Sequence, residues 1–212
     1  MMDISGTVRE RAARELRNRI LTGALPAGSR IDLDAITAEF ATSRTPVREA
    51  LLELSFEGLV QVTPRSGITV IGVQPEDVRD SFTILGVLTG QSAAWAAERV
   101  TDDELAELRT LADIVAAKSG DEAIGAANWR FHQAIHRAAH SPRLLAQIKQ
   151  AARVVPTNFL TMFPEHEKHS LSEHSELLDA LAHRSPERAR AIAERHVLQA
   201  GESLAQWLQQ SR

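Results

Sequence analysis

Ser43-Arg44-Thr45-Pro46-Val47-Arg48-Glu49-Ala50-Leu51 is the stretch on which the reading of this chain turns. It describes a helix with two faces of opposite charge. Arg44 and Arg48 stand four apart on one row, and Glu49, Glu53 and Glu57 form another about 100° round. Val47, Ala50, Leu51 and Leu54 recur at the spacing of a buried stripe. Ser43 can cap the start, and Pro46 falls in the first turn, where a missing N–H costs little. Gly58 ends the helix. Arg44, Arg48, Ser43 and Thr45 crowd the N-terminal turn, the end that a recognition helix places in the major groove. Arginine can take guanine bidentately, hydroxyls suit phosphate or base edges, and the free backbone N–H groups add an anion site. The glutamate row, which phosphate would repel, should face away from DNA.

Working outward, residues 7–22 read as a helix with Val8, Ala12, Leu16 and Ile20 on one face. Leu25-Pro26-Ala27-Gly28 breaks it. A short helix fits 33–40, with Asp32 as its N-cap and Ile36 and Phe40 inward. The decisive helix runs over about 43–56. Two alternating runs follow, Val60–Thr63 and Ile68–Ile71, joined by the turn Pro64-Arg65-Ser66-Gly67. Three helices and a hairpin are the order of a winged helix-turn-helix over residues 1–72. At the hairpin tip, Gly67 permits close backbone approach and Arg65 can reach an adjacent minor groove.

Gly72-Val73-Gln74-Pro75 reads as a linker, and everything beyond it as helix: about 75–99, 102–118, 121–140, 142–163, 169–184 and 186–211. Thr101 with Glu104 is a capping-box pattern. Ser141-Pro142 and Ser185-Pro186 each place a cap before a proline at the first helical position. Pro156 should kink the helix that contains it. The expected fold is mostly α: the winged helix-turn-helix, then a C-terminal all-α antiparallel helical bundle over residues 73–212.

Composition narrows the functions. The chain has 212 residues, 43% hydrophobic and 25% charged, ordinary values for a folded protein. Cysteine is absent, which removes disulfides, thiolate metal sites and a cysteine nucleophile. The net charge of −4 argues against a nonspecific polyanion binder. The charge is uneven, however: residues 1–72 carry nine Lys/Arg and nine Asp/Glu, and the remainder fifteen and nineteen. DNA contact must therefore come from local placement of arginines. No signal-peptide pattern or membrane-length apolar run is visible, so a cytoplasmic location is expected.

All eight histidines follow residue 130. On the helix 121–140 the apolar stripe is Ile124, Ala127, Phe131, Ile135 and Ala138. Asn128 and His132 flank that stripe at i, i+4, close enough to reach one ion. His136 and His140 fall on the far side and read as exposed, although His132 with His136 is a rival pair. His174 lies within the stripe Leu171, Leu178 and Leu181. His196 lies within that of Ala189, Ile192, Ala200, Leu204 and Trp207. An imidazole pointing into a core needs a hydrogen-bond partner or a metal. His166, His169 and His183 sit at helix ends or loops and read as solvent-facing.

The nine-residue stretch around Arg44 resembles the signature of the GntR family of bacterial transcription regulators. Ile20-Leu21-Thr22-Gly23 with Leu25-Pro26-Ala27-Gly28 resembles that family's helix-one ending, and Glu57-Gly58-Leu59-Val60 with Pro64-Arg65-Ser66-Gly67 its wing. The resemblance implies that Arg44, Thr45 and Arg48 sit where the family reads its operator, and Gly67 at the wing contact. Two positions depart from it. Asp34 occupies a second-helix position where some FadR-like members carry a DNA-touching arginine, and Leu33 stands where an acidic residue is usual.

Asn128-Trp129-Arg130-Phe131-His132 is similar to the Asp-x-x-Phe-His motif of the FCD domain, the helical effector domain of FadR-type members. Glu173-His174 with Leu177-Leu178-Asp179-Ala180, and Arg195-His196, resemble its other two histidine motifs. Six predicted helices suit the shorter VanR-like form. In metal-binding members an aspartate and three histidines hold a divalent ion. Carried over, the ligands are Asn128, His132, His174 and His196. A neutral amide oxygen in place of a carboxylate weakens the site, while the bound ion keeps a full double positive charge to attract an anionic effector. Nitrogen and oxygen donors suit zinc or nickel, with cobalt or manganese also compatible. Many FCD domains also carry an arginine and a glutamate on their first helix; the best register here puts Leu85 and Thr89 there.

The expectation is a ligand-responsive transcription regulator. It would act as a repressor, bind a palindromic double-stranded DNA operator as a homodimer, and take a small-molecule effector, an organic acid among the candidates, with a divalent metal in its C-terminal domain. The alternative is a metallohydrolase built on the histidine cluster. A third reading keeps the regulator and makes the metal structural or absent.

Overall fold

The computed structural model describes residues 6–63, 67–118 and 123–210. The chain divides into two compact units, Met1–Gln74 with Leu208–Arg212, and Pro75–Trp207.

The N-terminal unit packs three helices against a small sheet. Helix α1 (Val8–Leu21) starts at a capping box in which Thr7 and Glu10 bond each other's backbone N–H. Helix α2 (Leu33–Glu39) is capped by Asp32, whose carboxylate accepts from the N–H groups of Asp34 and Ala35. Helix α3 (Arg44–Phe56) begins at Ser43, although the serine hydroxyl makes no cap bond. Strands β2 (Val60–Thr63) and β3 (Gly67–Val70) form the expected antiparallel hairpin. A third strand, β1 (Arg30–Ile31), pairs with the outer side of β3, giving the order β1-β3-β2. Two residues are too few to show alternation, so the sequence pattern passed over it. The core holds Leu16, Ile20, Ile31, Ile36, Val47, Leu51, Leu54, Val60 and Val70. Gly58 leaves α3 at φ +76, a conformation that disfavours any residue with a Cβ.

The C-terminal unit is helical throughout. Helix α4 (Pro75–Arg99) packs against α6 (Ile124–Ala138), α7 (Pro142–Ala151) and α9 (Pro164–Ala182), while α5 (Asp102–Ala117) packs against α6 and α9. Thr101 and Glu104 form the expected capping box at α5, and Ser141 caps α7 ahead of its first-turn proline. The final helix α10 (Pro186–Gln210) lies close to α4: a Cβ on Gly201 would stand 2.5 Å from the Cβ of Phe82. Only glycine fits there.

Two helical expectations need correction. The helix predicted over 142–163 is not merely kinked. It ends at Ala151, passes through a 3-10 turn (Ala152–Val154), and resumes as the single turn α8 (Phe159–Met162). Pro156 lacks the N–H that would continue the ladder, and no packed apolar stripe bridges it. The helix predicted over 169–184 begins five residues earlier, at Pro164, with Glu165 and Glu167 in its first turn. Proline at the first position followed by acidic residues is a start signal that the sequence carries. The first residues of the helix predicted over 121–140 lie outside the described residues, as does the end of the last helix.

Candidate nucleic-acid interface and candidate metal centre

In the N-terminal unit, Ser43, Arg44, Thr45 and Arg48 are all exposed at the start of α3. The buried stripe Val47, Ala50, Leu51 and Leu54 anchors the opposite face of the helix. Arg44 is held by α2: its guanidinium donates to both carboxylate oxygens of Asp34, at 2.7 and 2.8 Å. Asp34 therefore braces a cation on this surface. Arg48 makes no ion pair with a described residue.

Two of the α3 glutamates have a structural task. Arg17 of α1, only 7% exposed, donates to Glu57 at 2.6 and 2.8 Å and to Glu53 at 3.4 Å. This turns the negative charge of α3 onto α1 and leaves its N-terminal turn cationic. Gly67 opens β3 at φ +95 and is exposed. Arg65 lies outside the described residues.

In the C-terminal unit the structure brings together His132 from α6, His174 from α9 and His196 from α10. One ring nitrogen from each lies within 4.8 Å of the others, a grouping able to hold a metal ion. Ring centroids are 5.0 Å apart for His132 with His174, 5.0 Å for His132 with His196, and 5.3 Å for His174 with His196. Phe131 packs under His174 at 4.5 Å. Asn128 stands one turn before His132.

The hydrogen bonds around the cluster decide which nitrogens face inward. His174 Nε2 meets the Ser170 hydroxyl at 3.2 Å, and His196 Nδ1 donates to Glu173 at 2.8 Å. This leaves His196 Nε2 as a lone-pair donor, and His174 Nδ1 as one in the tautomer that donates Nε2–H to Ser170. Among the described residues, two buried side-chain polar atoms have no hydrogen-bond partner: Asn128 Oδ1 and His174 Nδ1. Buried acceptors without partners are costly unless something meets them. Both belong to the predicted ligand set, and their chemistry fits a cation.

Electrostatics point the same way. Burial, reinforced by repulsion from His174 and His196, pushes the His132 imidazole well below its ordinary pKa. Burial first, then His196, pushes His174 down to about 3. Both are neutral near pH 7, the state that coordinates metal. Burial alone would raise the Glu173 carboxyl, but bonds from His196 and from Arg195 at 2.9 Å outweigh it and hold the group below the usual carboxylate range. A carboxylate behind a ligating imidazole orients the ring and raises its basicity. Sequence reading passed over Glu173 in this role, because a residue acting through its neighbour carries no spacing signature.

Two other histidines contradict their predicted exposure. His136 is buried, with its Nδ1 3.1 Å from the Ser92 hydroxyl on α4, and burial lowers it to about 4. It lies on the far side of the α6 stripe, but α6 is covered by both α4 and α5, so that side is interior as well. This also parts it from His132 as a pair. His166 is buried because α9 begins before it. His140, His169 and His183 are exposed, as expected. Leu85 and Thr89 are buried, and the Thr89 hydroxyl donates to the Gly86 carbonyl.

A winged helix-turn-helix whose third helix presents cations, carried with an all-helical unit, is the arrangement of a DNA-binding transcription regulator. Comparison with known proteins agrees. The pattern of the bacterial regulatory proteins of the gntR family matches residues 8–70, and that of the FCD domain matches residues 80–199. The chain belongs to the GntR family and carries an FCD domain. It is 26% identical over 208 residues to the galactonate operon transcriptional repressor of Escherichia coli, covering 87% of this chain and 91% of that one. An HTH-type transcriptional regulator of Mycobacterium tuberculosis is 26% identical over 183 residues, covering 86% and 75%. The structure of E. coli McbR/YncC superposes with a TM-score of 0.73 over 98% of this chain and all of that one, at 24% identity, which shows a shared fold. The family is one of transcription regulators, not enzymes, and the metallohydrolase alternative lapses. Among the described residues, no helix is long and apolar enough to cross a membrane.

Proposed function

We propose that this chain is an effector-responsive repressor that binds a palindromic double-stranded DNA operator as a homodimer in the cytoplasm. Residues 1–72 are the DNA-binding domain, and residues 73–212 carry effector binding, metal binding and dimerisation. Ser43, Arg44, Thr45 and Arg48 enter the major groove, and Arg65 and Gly67 meet the backbone or minor groove at the wing. The observation that carries this reading is the polarity of α3: Glu53 and, at its C-cap, Glu57 are drawn onto Arg17, while Arg44 and Arg48 are exposed at the helix start. A gel shift on the promoter beside the gene tests it. Arg48→Ala abolishes the specific complex, since one bidentate base contact contributes about 1–3 kcal/mol per half-site. Absence of any wild-type complex overturns the reading.

In the C-terminal domain, Asn128, His132, His174 and His196 hold a divalent metal, zinc or nickel first, with cobalt or manganese compatible. The unpartnered Asn128 Oδ1 and His174 Nδ1 support this set. When bound, the metal supplies positive charge that an anionic effector, such as an organic acid, can meet. Ser170 and Glu173 fix the ring orientations of His174 and His196. Effector binding favours one arrangement of the paired recognition helices and changes operator affinity by its differential affinity for the two states. Metal analysis of protein purified without a nickel column decides the point. No metal in wild type, together with unchanged stability in His132→Ala, removes the metal.

A further inference from the structure

We propose that His166 is a fourth imidazole ligand of the metal held by His132, His174 and His196, making up for the weak amide donor at Asn128. This rests on the metal reading above and goes beyond its ligand set. His166 lies two turns before His174 on α9 and is 8% exposed. Its ring centroid is 5.7 Å from that of His196, beside separations of 5.0 to 5.3 Å among the other three. With metal–nitrogen bonds of about 2.0 Å, imidazoles sharing one tetrahedral ion have centroids about 5 Å apart. His166 therefore lies beside the group of three, next to His196, and has to turn toward it to share the ion.

Three further observations bear on it. His166 lies near enough to His132 and His174 for its charge to be felt by both. Phe159 meets it edge-on at 5.2 Å and 87°, which positions the ring without using its nitrogens. Neither nitrogen is hydrogen-bonded to a described residue. A largely buried imidazole whose nitrogens make no hydrogen bond within the described residues, beside three others that converge, is available as a ligand. Four neutral imidazoles favour zinc, nickel or copper over manganese, which prefers oxygen donors.

The test uses the full chain, stripped with a chelator, with cobalt(II) and zinc(II) alone as probes. Visible absorption of the cobalt form reports the donor set, and competition with a chromophoric chelator reports zinc affinity. His166→Ala is expected to weaken zinc binding by at least about tenfold, a loss no smaller than that of a ligand-orienting residue, and to shift the cobalt bands. His166→Gln, which keeps most of the side-chain volume, should behave alike, with the unfolding midpoint of the metal-free protein confirming that each variant folds. Wild-type affinity and wild-type cobalt bands in a folded His166 variant overturn the fourth ligand and leave the metal site standing. Failure of the wild type to take up either metal overturns both.

Discussion

The two units differ in how far their buried polar side chains are matched. In the N-terminal unit a buried cation is matched within the chain: Arg17 lies between Glu53 and Glu57. The cations proposed to meet DNA, Arg44 and Arg48, are exposed, Arg44 with Asp34 beside it at the surface. In the C-terminal unit Glu173 is matched in the same way, by Arg195 and His196, but the imidazoles beside it are neutral, and two buried atoms among the described residues, Asn128 Oδ1 and His174 Nδ1, meet nothing. The contrast separates architecture from binding. A buried charge with its partner present completes a fold, whereas a converging set of buried lone pairs without partners describes the shape and charge of something else.

The comparison can be broken in several places. The largest expected effect is on the matched side. Arg17→Ala leaves Glu53 and Glu57 turned toward α1 without their guanidinium and should cost about 3 kcal/mol of stability, measured by urea unfolding. A cost below about 1 kcal/mol would make the pair an ordinary surface bridge. On the unmatched side, zinc at one hundred times its dissociation constant should stabilise the protein by about 2.7 kcal/mol. That gain should vanish in His174→Ala, read as the change in unfolding free energy with and without metal.

Protons should sharpen the contrast next. The folded-state pKa of His136 is pushed by burial to about 4, below its ordinary value of 6.5. Between those values the unfolded chain binds more protons than the folded one. The stability contribution is thus complete above pH 6.5 and is lost as pH falls toward 4, at up to about 1.4 kcal/mol per pH unit. A His136→Gln variant should show a shallower decline in thermal midpoint across that window; an identical slope would remove His136 as a contributor. The smallest effect is at Asp34. Its bond to Arg44 is exposed, so Asp34→Asn should change stability by less than about 1 kcal/mol. Removing a negative charge beside the recognition helix should raise affinity for nonoperator DNA in low salt, measured by titration of labelled duplexes.

The extent to which this was legible in the sequence differs between the units for a physical reason. Most of the residues proposed to face DNA lie on one helix, so its spacing describes them, and Asp32 and Gly58 mark the start of α2 and the end of α3 as expected. The hydroxyl of Ser43 was expected as a cap and is not one. The histidine site joins three helices. Stripe membership flagged His174 and His196 one helix at a time, but periodicity on α6 placed His136 outside because it counts one buried face, and α6 has more than one. His166 was misplaced because its helix was started late, despite the signal at Pro164. Glu173 was visible only as the neighbour of a histidine.

Local chemistry by itself determined the order of the longer elements, apart from β1 and the break at Pro156, together with the two-faced third helix and the candidate ligand types, because those depend on spacing, capping and the absence of cysteine. Only tertiary packing decided that Glu53 and Glu57 meet Arg17, that Asp34 holds Arg44, that Glu173 bonds His196, and that His166 lies beside His196. Each of those pairings links residues on different elements or depends on which face of a helix is covered, and neither is encoded in the period of any single helix.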